Sequence, residues 1–76
     1  MQAFELRNLS DDELVVRLND DKHELFNLRF QSESGQLEDM SRIRALKREV
    51  ARILTVMRER ELAAQMAAQE ERSEQQ

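Results

Sequence analysis

Apolar residues return along this chain at helical spacing. From Asp11 onward they fall at Leu14, Val15, Leu18, Leu25, Phe26, Leu28 and Phe30. The intervals 14 to 18, 18 to 25 and 26 to 30 trace one broad helix face. The stripe thins at Asp20-Asp21-Lys22-His23, where only the aliphatic stem of Lys22 is placed to cover it. The entry is well marked. Ser10 and Glu13 form an S-x-x-E capping box, in which Ser10 accepts from the Glu13 amide and Glu13 reaches back to Ser10. Asp11 and Asp12 suit the positive end of the helix dipole, and Leu9 with Leu14 makes a hydrophobic staple. Ser34-Gly35 is the stop, since Gly is the usual left-handed cap. The first long helix is thus expected over about 11–34, some 36 Å in length. Ala3 to Asn8 has room for one preceding helical turn.

Asp39 or Ser41 can cap the next helix. Ile43, Leu46, Val50, Ile53 and Met57 then repeat at intervals of three and four, a coiled-coil-like seam that Leu54 widens. After Leu62 the pattern weakens into an Ala/Gln/Glu-rich stretch, helical by propensity but with little to bury. The second long helix is expected over about 40–65, fraying into a mobile tail. Two long helices on a short loop lie antiparallel. The expected fold is all-α: an antiparallel two-helix hairpin over residues 1–65, opened by a short N-terminal helical turn, with an acidic tail at 66–76. At this size about 60% of the unfolded surface is buried, so the hairpin is marginal alone and is expected to complete its fold against a partner.

Composition narrows the function. The 76 residues include one Gly, one His, and no Pro, Cys, Trp or Tyr. Without cysteine there is no disulfide framework and no thiolate metal site. The longest apolar runs are two or three residues, against about 20 for a membrane span, and Met1 to Arg7 does not read as a signal peptide. A soluble cytoplasmic protein is the expectation. His23 among acids reads as solvated. Asp11-Asp12-Glu13 and Asp20-Asp21 lack calcium-loop spacing. The four Met residues are expected to fill or flank the hairpin. No nucleophile–base set is apparent and a hairpin offers no enzyme-sized pocket. The chain is therefore read as a non-enzyme with no cofactor, no metal and no small-molecule substrate.

The net charge of −4 conceals a strong asymmetry. Residues 42–60 hold seven Lys and Arg against two Glu, and every flanking segment is acidic. At about 100° per residue, Arg44, Lys47, Arg48, Arg52, Thr55 and Arg58 fall on an arc of about 140°, on the side of the helix away from the seam. Arg predominates, and its planar fork matches phosphate oxygens. Such a face suits a nucleic-acid backbone, although Glu49 and Glu59 are also near enough for local pairing. No base-reading motif is present, and no Tyr or Trp offers a stacking platform. A second feature, Glu24 to Gln31, mixes apolar and polar residues all round the helix. Phe26 and Phe30 share one face and can serve as hairpin core. Asn27, Arg29 and Gln31 present hydrogen-bonding groups elsewhere, as in a helix end gripped on several sides.

These segments resemble a known family. Lys22-His23-Glu24-Leu25-Phe26-Asn27-Leu28-Arg29-Phe30-Gln31, Gly35-Gln36-Leu37, Arg42-Ile43-Arg44, Val50-Ala51-Arg52-Ile53 with Thr55, and Arg58-Glu59-Arg60 are closely similar to the bacterial large-subunit ribosomal protein number twenty-nine. The opening Glu5-Leu6-Arg7 and Leu9-Ser10 fit as well, so the likeness spans about residues 3–62. It implies a small antiparallel helical hairpin that binds large-subunit ribosomal RNA near the nascent-peptide exit tunnel. Ribosomal protein number twenty-three would be its neighbour there, in the region where trigger factor and the signal recognition particle dock. Carried onto this chain, the implied RNA contacts are Asn27, Arg29, Phe30 and Gln31, the Gly35-Gln36 turn, and the series Arg42, Arg44, Arg48 and Arg52. Ser34 and Asp39-Met40 depart from the family's usual turn residues, and the net acidity is unusual for it. The competing reading, a coiled-coil adaptor that dimerises through the seam, has only about two heptads to work with.

Overall fold

The computed structural model describes residues 1–35 and 39–74. It contains α1 (Ala3–Leu6), α2 (Asp11–Glu33) and α3 (Ser41–Glu74) and, among the described residues, no strand. α2 and α3 pack against each other as the expected hairpin, and α1 lies on α3.

The signals at the ends of α2 act largely as the sequence implies. Ser10 Oγ accepts the Glu13 amide at 3.1 Å. Glu13 reaches back to the Ser10 hydroxyl, which donates to Oε1 at 3.1 Å, rather than to the Ser10 backbone. Leu9 packs against the cluster that contains Leu14. At the far end Gly35 takes φ +78°, the left-handed conformation that ends the helix. Asp39 Oδ1 accepts the Ser41 amide at 2.9 Å and so steadies the entry to α3.

The core is split in two. Leu6, Leu14, Leu18, Ile53 and Val56 form one cluster, with Leu9, Val50 and Met57 against it. Leu25, Ile43 and Leu46 form the other, with Leu28 against it. The gap in the α2 stripe is filled differently from expectation. Asp21, not the stem of Lys22, occupies the interior position and is 5% exposed. Glu49 of α3, 7% exposed, lies between the same two clusters.

Other apolar residues of the α2 pattern are outside. Phe26 and Phe30 are 68% and 66% exposed, and Val15 is exposed as well. They lie on the α2 flank beyond the reach of α3, because a two-helix hairpin can cover only one narrow stripe. Of the methionines only Met57 packs against the core, while Met1, Met40 and Met66 are exposed. α3 is 34 residues long and passes the expected end near 65 without interruption. No Gly or Pro occurs in this stretch to stop it.

Candidate nucleic-acid interface

Eight of the twelve Lys and Arg side chains fall into two populations. One population is held by acids across the fold. Arg17 Nε donates to Glu49 Oε1 at 2.6 Å and lies 3.9 Å from Asp21 Oδ1. Arg7 grips Glu59 with two bonds of 3.2 and 3.1 Å. Arg42 grips Glu24 with bonds of 2.9 and 3.0 Å. Arg60 donates to Asp11 at 2.7 Å and to the carbonyls of Arg7 and Leu9. Glu49 and Glu59 therefore pair with the N-terminal half, not with their α3 neighbours.

The second population stands on the outer side of α3. Arg44, Lys47 and Arg48 are exposed and Arg52 is half-buried, and none of the four has an ion-pair partner among the described residues. Their azimuths point away from Ile43, Leu46 and Ile53, which face α2. Thr55 lies on the same arc and donates its hydroxyl to the Ala51 carbonyl at 2.8 Å, leaving the oxygen to accept. Arg58, also on the arc, reaches Glu61 at 2.9 Å in a fully exposed i,i+3 pair worth little. Arg42 does not join the arc: its azimuth is on the seam side, where Glu24 holds it.

The turn end of the hairpin adds a second group. Leu28 packs with Leu25, Ile43 and Leu46, which sets residues 27–31 level with the first turn of α3. Asn27, Arg29, Phe30 and Gln31 are all exposed there. Gly35 ends the helix beside them, with nothing near the site of a Cβ. Gln36 lies outside the described residues. Phe26, one turn from Phe30 and on the same face, belongs to this exposed group although its apolar character placed it in the stripe.

Arg17, Asp21, Glu49 and Arg60 make contacts within the fold that the sequence pattern does not reveal. Burial first, then the adjacent Glu49 charge and a hydrogen bond shared with it, push the Asp21 carboxyl above the usual range. Burial also pushes Glu49 upward, but the Arg17 hydrogen bond and charge, with help from Asp21, outweigh it and hold Glu49 below its usual range. Asp21 Oδ2 has no hydrogen-bond partner among the described residues. The signal available in sequence was spacing: Asp21 is the missing member of the 14, 18, 25, 28 repeat.

The arrangement offers positive charge spread along one exposed helix face. Among the described residues, no helix is long and apolar enough to cross a membrane. The family model of the ribosomal L29 protein matches residues 4–60. The large ribosomal subunit protein uL29 of Saccharopolyspora erythraea is 62% identical over 60 residues, covering 79% of this chain and 75% of the relative. Its counterparts in Rhodococcus erythropolis and Corynebacterium glutamicum are each 60% identical over 60 residues, covering 79% of this chain and 77% and 79% of the relative. The match contains α2, the turn end and the whole basic arc, and this chain belongs to the ribosomal L29 protein family.

Proposed function

We propose that this chain is a structural, non-enzymatic constituent of the large ribosomal subunit that binds ribosomal RNA through the outer face of α3 and the turn end of the hairpin. One observation carries the reading. Arg44, Lys47, Arg48 and Arg52 stand together without acidic partners among the described residues, while Arg7, Arg17, Arg42 and Arg60 are each consumed by the fold. Fixed, unneutralised cations on one helix face attract a phosphate backbone and release its counterions. Asn27, Arg29, Phe30, Gln31, Gly35 and Gln36 extend the contact at the turn, and Thr55 and Arg58 extend it along α3.

Family membership supports the finer placement: near the nascent-peptide exit tunnel, beside ribosomal protein number twenty-three, within reach of trigger factor and the signal recognition particle. The dimeric adaptor reading loses its surface, because Ile43, Leu46 and Ile53 are already covered within the chain.

The test is Arg48→Glu with Arg52→Glu in one chain. Occupancy in large subunits washed with rising salt is expected to fall, and the slope of log affinity against log salt to shrink by about 1 for each phosphate no longer neutralised. Unchanged occupancy, with helix content intact by circular dichroism, rejects the basic-face assignment.

A further inference from the structure

A groove of about 460 Å³ runs between the N-terminal segment and the outer side of α2, lined by Met1, Leu9, Asp12, Glu13, Val16, Arg17 and Asp20. It opens away from α3, on the side of the hairpin opposite the basic arc. Val16 is 59% exposed on its floor, and Leu9 is half-buried beside it. Asp12 and Asp20 flank Val16 one turn to either side, and Glu13 adjoins it. None of these three acids has an ion-pair partner among the described residues. The two cations of the lining, the Arg17 guanidinium and the Met1 terminal ammonium, are both drawn toward Glu49, and Arg17 also toward Asp21. An apolar floor is thus edged by uncompensated carboxylates.

From this we infer that the groove docks an extended segment of a neighbouring protein with the pattern basic-x-apolar-x-basic. Asp12, Val16 and Asp20 follow one another at a rise of about 6 Å. Alternate residues of an extended strand share a face and are about 6.7 Å apart. Two Lys or Arg can therefore meet Asp12 and Asp20 while the apolar residue between them covers Val16. A phosphate backbone is repelled by the same carboxylates.

The probe is the peptide acetyl-Lys-Ser-Leu-Ser-Lys-amide, titrated into the ¹⁵N-labelled full chain at low salt, with a control peptide carrying Ser in place of Leu. Saturable shifts are expected at the amides of Leu9, Asp12, Val16 and Asp20. Affinity should fall about tenfold for the control peptide and comparably for the Asp12→Asn, Asp20→Asn double variant. Both substituted residues are exposed and outside the ion pairs, so the variant keeps its fold, which its spectrum reports directly. Three results overturn the inference: no saturable shift at millimolar peptide, equal response to both peptides spread over all the acids, or binding of an oligouridylate at these same amides.

Discussion

Asp21 stands where the seam of α2 asks for a leucine. Its carboxyl faces Glu49 in the layer between two apolar clusters, and Arg17 is the cation that makes the pair tolerable. A buried unsatisfied oxygen costs about 1–3 kcal/mol, so Asp21→Asn, which removes the charge and brings an amide donor into the layer with Glu49, is expected to stabilise the chain by about 1 kcal/mol at pH 7. The pH sign follows from the two directions. Asp21 is raised, so its penalty is present above its folded value and is relieved as pH falls through it. Glu49 is lowered, so its contribution is present above the ordinary carboxylate range and is lost as pH falls through its folded value. Urea midpoints measured from pH 7 downward should show the advantage of Asn shrinking toward the ordinary carboxylate range. An advantage that stays constant with pH rejects the raised Asp21. Leu14, Leu18, Leu25 and Leu28 were legible from spacing. Asp21 was not, because hydropathy scores the residue and not the partner that makes its burial possible. Phe26 shows the converse: its apolarity leaves core and surface both open, and its azimuth lies off the narrow stripe that one facing helix can cover.

At the scale of elements, α1 is four residues long and has no stability of its own. Leu6 and Leu9 give it an apolar footing, and Arg60 ties down the connection to α2 through the Arg7 and Leu9 carbonyls and Asp11. Arg60→Ala is expected to cost about 1–3 kcal/mol. Amide exchange should speed up most at Arg7 to Leu9, with α2 and α3 protection between Leu18 and Ile53 less affected. Uniform loss of protection would show that Arg60 supports the whole hairpin. The same element logic gives the buried acids a second role. A seam of leucines repeating at three and four residues can slip by a turn, and a slip here sets Asp21 against Leu or Ile and takes Glu49 away from Arg17. The polar layer thereby keys α2 to α3. Caps and turn were legible because Ser10, Glu13 and Gly35 act locally. The length of α3 was not, because its last turns lack both a stop signal and a burial pattern, and Ala and Gln propensity alone extends them.

As a whole the molecule measures 62 × 20 × 17 Å. Much of that length is α3 running past its partners. Residues 61–72 are exposed throughout, Leu62 and Met66 included. We treat 66–76 as an appendage to the hairpin of 1–65. Deleting it should change stability by less than about 0.5 kcal/mol and leave incorporation into large subunits intact on a gradient. Failure to incorporate would make this extension part of the binding surface. The basic arc was legible as a pattern, but which cations remain unclaimed was not, since the partners of Arg7, Arg17, Arg42 and Arg60 are 18 to 52 residues away in sequence for the ion pairs that remove them.

That sorting of cations has a kinetic consequence. With unpaired carboxylates outside α2 and unpaired cations outside α3, the hairpin is an electric dipole across its short axis. Near a polyanion it experiences a torque before any contact forms, and it arrives with α3 leading. The alignment acts over about 10 Å at 0.1 M salt and is lost as salt rises. A protein with net charge −4 can thus be captured quickly by a negatively charged surface, because only one of its sides is presented for collision.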